Sequence, residues 1–515
     1  MAHAVQWVMS TRRQPLSRLA SGVLLLSLIS TSAGAVPLRN VLGATHAAGK
    51  YNFTEEDFLN EGADKLLEMG TRVIKVWFDP YATPLYPFNV EWGAPPDNLA
   101  DLARHPYYQE LFAKPFSTFI LVVSWRVPIN EFIDGMTREE IEMETQQTHD
   151  LARYLLTTYA GTGKTFILQN WEGDHLLRRG LTNEEEPSQT SVLGMAAWLN
   201  ARQAGVNQAR REIPARGVTV AHAVEANLLR NAMEGKVTVT NDVIPRTRAD
   251  LYSYSSWDVG FDPAELVRAL DYLAAKAPDS ALYGSRNVYL GEYGAAKDQV
   301  VGEQERTVVI RQLTDAALGW GARWVVYWQL YCNEPARVYQ TERPTNQDLR
   351  GFWLIRPDGV KTRIYKNFQG QLGSSVNRIF FRGPGGRYVT PESGGGGSIW
   401  ISDFRPTEMD ALILRDLNGG RLRNGDEVRI LAHNGMYFRE AEDGRVLADR
   451  RDAGAGTTFV LRKIGASGNA VLGPSDLIAI EGSEGHYVGE GSDGLLRAIG
   501  AEPAVEGTFS IVFAE

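Results

Sequence analysis

Cysteine is nearly absent from this sequence, because Cys332 is the only one among 515 residues. No disulfide can therefore form within the chain, and the fold must be stabilised by its apolar core. A single thiol near a strand end is more often a small buried hydrophobe than a nucleophile. The hydrophobic fraction of 43% is ordinary for a globular protein, so a core of sufficient size is expected.

Basic residues are outnumbered: 53 Lys and Arg stand against 62 Asp and Glu, which gives a formal net charge of -9. Phosphate binding needs a basic surface, so we expect no nucleic-acid partner. Sequence signatures of a catalytic serine, a metal site and a phosphate loop are also lacking. No Gly-x-Ser-x-Gly follows a strand, and no His, Cys and Asp cluster has metal-ligand spacing. Residues 161–165 read GTGKT, but Thr158 replaces the first glycine of a phosphate loop and the segment precedes a strand.

Long apolar runs are missing except near the start of the chain. The run from Leu19 to Ile29 follows several arginines and precedes the small residues 33–35. It is too short to span a bilayer, and the pattern is typical of an export signal. We therefore predict a signal peptide over residues 1–35, a secreted or periplasmic protein and no membrane partner.

From residue 36 onward, short apolar runs alternate with segments of helical periodicity. Eight strands alternating with helices over about 330 residues match the count and length of a (β/α)8 barrel. A doubly wound open sheet is the competing α/β fold, but the early phosphate loop that would favour it is missing. The predicted strands are 40–43, 73–77, 118–124, 166–170, 217–221, 250–254, 287–290 and 324–329.

Two of these strands end on a glutamate among aromatic residues and glycines. Residues 287–294 read NVYLGEYG and carry Glu292, whereas residues 166–174 read FILQNWEGD and carry Glu172. Barrel enzymes keep their chemistry at the carboxyl ends of the strands. Cleavage of a glycosidic bond needs two carboxyl groups, one to protonate the leaving oxygen and one to attack or activate water. The pair therefore predicts acid/base chemistry on a sugar, with no cofactor.

In this layout the chain resembles the clan of retaining (β/α)8 glycoside hydrolases that includes cellulases, mannanases and β-galactosidases. The resemblance covers about residues 40 to 365. It implies that Glu292, after strand seven, is the nucleophile and that Glu172, after strand four, is the acid/base. It also assigns substrate contacts to His222 after strand five, Tyr254 after strand six and Trp328 after strand eight.

The clan usually has asparagine directly before the acid/base glutamate, but here Trp171 separates Asn170 from Glu172. Since positions i and i+2 of an extended strand share a face, Asn170 would still face the site. Asp174 is the substitute acid and Glu225 the next candidate. A more distant acid would make the mechanism inverting.

Further strand-end residues are candidates for substrate binding. Tryptophan rings offer apolar faces for sugar rings, although any single one is equally compatible with a core position. His222 is more often a buried, hydrogen-bonded histidine than a ligand. The predicted substrate-binding residues are Asn170, Trp171, Asp174, His222, Asn227, Tyr254, Trp257, Trp328, Trp77 and Trp125.

After residue 375 the chain is rich in glycine and contains an internal repeat. The turns before Tyr388, Tyr437 and Tyr487 align at intervals of about fifty residues, a sign of repeated structural units. With a later Gly-x-x-Phe, the pattern resembles the fascin-like β-trefoil. These tyrosines are more often packing residues than ligand contacts. The resemblance implies a carbohydrate-binding domain, and a structural appendage is the alternative.

The sequence thus predicts four segments: a signal peptide (1–35), a glycoside hydrolase barrel (36–368), a linker (369–375) and a carbohydrate-binding trefoil (376–515). The expected activity is retaining hydrolysis of β-linked oligo- or polysaccharides. A non-catalytic carbohydrate-binding or adhesion protein on a barrel scaffold is the alternative, and it would be favoured if the two glutamates pointed away from each other.

Overall fold

A computed structural model describes residues 35–124, 132–182, 185–338, 343–474 and 476–514. After a short strand β1 (Val36–Pro37), eight parallel strands close into a barrel, because the first of them pairs with the last as well as with the second. The closed ring confirms the predicted (β/α)8 barrel and excludes an open sheet. Its strands are β2 (Leu42–His46), β3 (Val73–Phe78), β4 (Thr118–Val123), β5 (Lys164–Gln169), β6 (Val218–Ala226), β7 (Leu251–Ser255), β8 (Val288–Tyr293) and β9 (Val325–Tyr327).

Helices follow the strands, and local capping explains several of their ends. Thr137 and Glu140 form a reciprocal capping box at the start of the fourth helix, which satisfies two free N–H groups of its first turn. Asp262 caps the eighth helix, whose first residue is Pro263. The helices are α1 (Phe58–Met69), α2 (Leu99–Ala103), α3 (Pro106–Ala113), α4 (Arg138–Thr158), α5 (Gly173–Leu177), α6 (Gln189–Glu212), α7 (Leu229–Met233), α8 (Pro263–Lys276), α9 (Glu303–Trp320) and α10 (Arg363–Gln371).

Each barrel strand is buried on both faces, so alternation along the strand decides which side chains enter the barrel. On β6, Ala221 and Ala223 belong to the cluster inside the barrel, whereas Val220 and Val224 pack in the layer against the helices. Glu225 shares the inward face with the alanines. The strand runs to Ala226, five residues beyond the predicted end, so Glu225 lies in the barrel wall and not in a loop.

The strands after residue 374 are antiparallel and have a core of their own. Six of them pair in a closed cycle, β10-β13-β14-β17-β18-β21 and back to β10. The other six form three hairpins, one in each sequence repeat. The strands are β10 (Ser375–Arg382), β11 (Tyr388–Pro391), β12 (Gly397–Asp403), β13 (Leu412–Asp416), β14 (Glu427–Leu431), β15 (Tyr437–Glu440), β16 (Val446–Arg450), β17 (Phe459–Lys463), β18 (Leu477–Glu481), β19 (Tyr487–Glu490), β20 (Leu496–Gly500) and β21 (Phe509–Phe513).

The barrel and this antiparallel domain are in direct contact. Strand β1, from the start of the barrel region, pairs with β10, and α10 extends to Gln371, into the predicted linker. Tyr437 is fully buried here, and its hydroxyl donates to Asp315 Oδ2 on α9 over 2.5 Å. The tyrosine of the second repeat is thus an interface residue, whereas Tyr388 and Tyr487 are half-buried.

Within the described residues, no helix combines the length and apolarity needed to cross a membrane. The predicted signal peptide lies, apart from Ala35, outside the described residues.

Candidate active site

Glu292 lies at the carboxyl end of β8 and is buried on the floor of a pocket at the mouth of the barrel. Its Oε1 accepts a hydrogen bond from Lys75 Nζ over 2.7 Å, and its Oε2 accepts one from Trp257 Nε1 over 3.2 Å. Both carboxylate oxygens therefore face a donor, an arrangement that suits the ionised group.

Burial acts in the opposite direction on the same carboxyl. Removal from water raises the pKa of Glu292 to about 8, with further contributions from the charges of Glu225 and Glu172, although Lys75 opposes the shift. Burial also acts against the charge of Lys75, but the two carboxylates beside it raise the Lys75 pKa above its ordinary value. Lys75 thus lies between two buried carboxyl groups, and Glu292 loses its proton at a higher pH than an exposed glutamate does.

Glu225 lies deeper, inside the barrel, and its side chain accepts hydrogen bonds only. Every neighbour of the carboxyl group donates to it, which suits a carboxylate. This residue therefore anchors the pocket floor. The donors to Oε1 are Lys75 Nζ, Gln169 Nε2, Ser253 Oγ and Ser255 Oγ at 2.7–3.1 Å, and the donor to Oε2 is the backbone N–H of Glu172 at 2.9 Å.

Glu172 is held at the pocket wall by that backbone hydrogen bond to Glu225. Its side chain is 10% exposed, and its Oε2 lies 2.6 Å from Nδ1 of His175, whose side chain is 52% exposed. The hydrogen bond that its Nδ1–H donates to the Glu172 carboxylate raises the pKa of His175. The pair therefore shares a proton that the half-exposed imidazole can exchange with solvent.

The pocket between the two glutamates has a volume of about 350 Å³ and is rich in tryptophan. Trp77 and Trp257 each pack edge-on against Trp328, with ring centroids 5.7 and 6.4 Å apart, and Trp171 is 40% exposed at the rim. Apolar ring faces beside two carboxyl groups are the surroundings in which a sugar would be bound and cleaved. The lining residues are Ala47, Ala48, Trp77, Leu85, Trp171, Glu172, Trp257, Glu292, Trp328, Asn333 and Glu334.

Six of the predicted site residues thus meet in one pocket, namely Glu172, Glu292, Trp77, Trp171, Trp257 and Trp328. Trp125 lies outside the described residues.

Three predicted substrate contacts instead hold the backbone together beneath the pocket wall. Both oxygens of Asp174 are taken by backbone N–H groups, those of Asn227 and Leu228 at Oδ2 and that of Val239 at Oδ1. Asn227 Oδ1 in turn accepts from the N–H of Asp174. Asn170 bonds the backbone of Glu225 through both Oδ1 and Nδ2. Strand β5 ends at Gln169, so the extended geometry assumed for Asn170 and Glu172 does not apply.

His222 and Tyr254 lie on the outer face of their strands. His222 is fully buried, neither ring nitrogen has a hydrogen-bond partner, and burial together with Arg202 and Arg210 moves its pKa well below the ordinary value. The Tyr254 hydroxyl donates to Asp258 Oδ1 over 2.5 Å. Neither side chain lines the pocket, because the inward positions of β7 are held by Ser253 and Ser255.

Lys75 is the site residue that the sequence analysis missed. It stands in the apolar strand segment VIKVW (73–77), and a lysine is almost never fully buried unless it is paired. That single charge inside an apolar run was the feature of the sequence that could have revealed Lys75. Gln169, an inward residue at the end of β5, donates to Glu225 and was not predicted either.

The sequence matches no protein-family model and no curated protein. Among solved structures it is similar to a GH5_18 protein from Bifidobacterium longum subsp. infantis, with 14% identity over 65% of this chain and 78% of that chain and a TM-score of 0.42. A GH39 β-xylosidase from Caulobacter crescentus has 12% identity over 80% of both chains and a TM-score of 0.40. An SDF2-like protein from Arabidopsis thaliana covers 27% of this chain and 92% of its own at 10% identity, with a TM-score of 0.23. All three TM-scores are below 0.5.

Proposed function

We propose that this protein is an exported glycoside hydrolase that cleaves β-glycosidic bonds of an oligo- or polysaccharide by a retaining double displacement. The observation that carries the proposal is that Glu172 and Glu292 line one tryptophan-rich pocket at the carboxyl ends of the barrel strands. Hydrolysis needs two carboxyl groups beside one glycosidic bond, so their meeting in one pocket favours an enzyme over a non-catalytic binder.

In the first step, a carboxylate oxygen of Glu292 attacks the anomeric carbon while the glycosidic bond breaks. The leaving oxygen takes the proton held by the Glu172–His175 pair, and the sugar becomes an ester of Glu292. Lys75 and the Trp257 indole hold Glu292 in position through their hydrogen bonds.

In the second step, Glu172 removes a proton from water, and the resulting hydroxide attacks the same carbon. The ester bond breaks, the free sugar leaves with its original anomeric configuration and Glu292 returns as the carboxylate. The half-exposed His175 exchanges protons with solvent, so the Glu172–His175 pair recovers its protonation before the next turnover.

The test is release of reducing sugar from a panel of β-linked plant, fungal and bacterial polysaccharides. Glu292→Gln and Glu172→Gln should each lower turnover by about three orders of magnitude or more. Glu142→Gln, an exposed carboxylate on α4, is the matched control and should leave turnover unchanged. Proton NMR of the first released product should show the retained anomer. Sugar binding without turnover would support the binding protein instead, and an inverted product would exclude Glu292 as the nucleophile.

We also propose that the C-terminal domain is a β-trefoil that tethers the enzyme to its polysaccharide. The closed cycle of six strands with three hairpins supports this assignment. The Glu292→Gln chain should sediment with an insoluble polysaccharide even when a soluble oligosaccharide saturates the barrel pocket. Export is tested by sequencing the amino terminus of the mature protein, which should begin near residue 36.

A further inference from the structure

The threefold repeat brings together residues that are far apart in sequence, at the junction of one copy with the next. In each repeat, one variable residue precedes the tyrosine of the turn. In the first copy this residue is Arg387, which donates to both oxygens of Glu490 in the third copy at 2.7 Å. Glu490 stands three positions after the tyrosine of its own copy. This junction is therefore closed by an ion pair in which one guanidinium nitrogen donates to both carboxylate oxygens.

The same two positions meet again where the third copy contacts the second. Here the variable residue is His486, and its Nδ1 lies 3.3 Å from Oε1 of Glu440. A histidine thus stands where the first junction has an arginine. At the remaining junction the corresponding positions hold Met436 and Pro391, which carry no charge.

The imidazole leaves Glu440 incompletely satisfied. The Glu440 side chain is only 7% exposed, and its Oε2 is buried without a hydrogen-bond partner. A buried carboxylate oxygen without a donor is costly, and native structures normally supply a donor or a cation. Oε2 faces the backbone of Gly482, since a Cβ at that position would lie 2.4 Å from it. Gly482 opens the turn that carries His486.

Glu484, in the same turn, provides a third ligand. Glu440, Glu484 and His486 each present one ligand atom, and these atoms all lie within 4.8 Å of one another. Zinc at about 2.0–2.2 Å from each ligand requires ligand atoms within roughly 4 Å of one another, which small side-chain adjustments of the exposed Glu484 and His486 would supply.

We propose that Glu440, Glu484 and His486 bind one divalent transition-metal ion of the zinc class, and that this ion joins the second and third repeats. An imidazole with two carboxylates favours zinc and its neighbours over calcium or magnesium, which take oxygen ligands. Local sequence spacing does not reveal this site, because Glu440 lies 44 and 46 residues before Glu484 and His486.

The experiment is isothermal titration of the full chain with zinc chloride, beside His486→Arg and Glu440→Gln. His486→Arg reproduces the Arg387–Glu490 junction, so it should fold normally, pair with Glu440 and lose the metal. The wild type should bind one zinc more than either variant, or bind it at least about a hundredfold more tightly. Equal stoichiometry and affinity in all three chains, or no binding by the wild type at millimolar zinc, would overturn the proposal.

Thermal unfolding with and without zinc gives a second readout. Zinc should raise the melting temperature of the wild type and leave that of His486→Arg unchanged. In the presence of a chelator, His486→Arg should melt no lower than the wild type, which shows that the loss is one of binding and not of folding. Equal binding of calcium by the wild type would contradict the assigned class of metal.

Discussion

Lys75 Nζ donates to Glu292 Oε1 over 2.7 Å, and this contact joins the second barrel strand to the residue we propose as nucleophile. The same ammonium contacts Glu225 at 3.1 Å. All three groups are buried, so their charges interact with little screening by water. The protonation of the pocket floor is therefore decided within this group.

Lys75→Met should remove the one cation of the group. Two carboxylates would then be buried without a positive partner, and breaking a buried pair in this way costs about 3–5 kcal/mol. At pH 9, where both carboxylates are ionised, the free energy of unfolding should fall by this amount. At pH 5 it should fall by less. The rate of sugar release should fall as well. Urea titration at the two pH values measures the first effect.

Lys164→Met is the matched control, since Lys164 stands at the opposite end of the barrel and its Nζ donates to a backbone carbonyl. That variant should keep its activity. A fully active Lys75→Met chain with unchanged unfolding would show that Lys75 does not hold Glu292.

The pH dependence of kcat/KM should report the pKa of Glu292, because the nucleophile must be ionised to attack. The rising limb of the profile should have its midpoint near pH 8, and activity should fall again at higher pH once the Glu172–His175 pair loses the proton that the leaving oxygen takes. Glu225→Gln removes a like charge that raises this pKa, so the rising limb should move down by about one to three pH units. Glu234→Gln, an exposed residue after α7, should leave the profile in place. An unmoved limb in Glu225→Gln would mean that the Glu225 charge does not act on Glu292.

Stability should depend on pH through the same carboxyl. The folded-state pKa of Glu292 is raised from 4.5 to about 8, so the folded chain holds a proton that the unfolded chain has lost. Between these values its contribution to stability falls by at most about 1.4 kcal/mol per pH unit as pH rises. Glu292→Gln lacks this loss. Measured by urea titration, the free energy of unfolding of the variant should rise relative to that of the wild type from pH 5 to pH 8. Above pH 8 the difference should stay constant. A constant difference would refute the raised pKa.

The sequence predicted the barrel because its apolar runs and helical segments alternate clearly, and it predicted the paired glutamates because each ends such a run. The length of each strand, and which of its side chains face into the barrel, were harder to predict. Strands buried on both faces show no polar alternation, so the end of β6 was placed too early. That error put His222 at the mouth and Glu225 in a loop, whereas the longer strand turns His222 outward and Glu225 inward.

The structure gives Asn170 and Asp174 contacts with the backbone that the sequence did not indicate. Their residue types suit a sugar site, but they also suit the binding of free backbone N–H groups where strands end. Only the three-dimensional structure shows which groups they bind. Here backbone N–H groups donate to Oδ1 of Asn170 and to both carboxylate oxygens of Asp174.

Two tryptophans of the pocket should have different kinetic roles. Trp257→Phe keeps an aromatic ring but removes the donor to Glu292. A hydrogen bond to a charged group contributes about 1.5–3 kcal/mol, so kcat should fall roughly tenfold to a hundredfold. Trp171→Ala removes an exposed rim platform, so KM should rise with kcat little changed. Michaelis profiles on one soluble oligosaccharide separate the two, and equal effects on kcat would contradict these roles.

The contact between barrel and C-terminal domain can be measured with two equivalent glycines. Gly435 and Gly485 occupy the same turn position in the second and third repeats, and both have φ of +78°. Alanine at either site carries the same left-handed backbone penalty, about 1–2 kcal/mol.

Only at 435 would the added Cβ meet the backbone of α9, 2.4 Å from Ala316 Cα, whereas at 485 nothing lies within 4 Å. Gly435→Ala should therefore lower the free energy of unfolding by several kcal/mol more than Gly485→Ala, with the difference arising from the interface alone. If the two variants unfold at the same urea concentration, the domains separate freely and the buried Tyr437–Asp315 hydrogen bond does not hold them together.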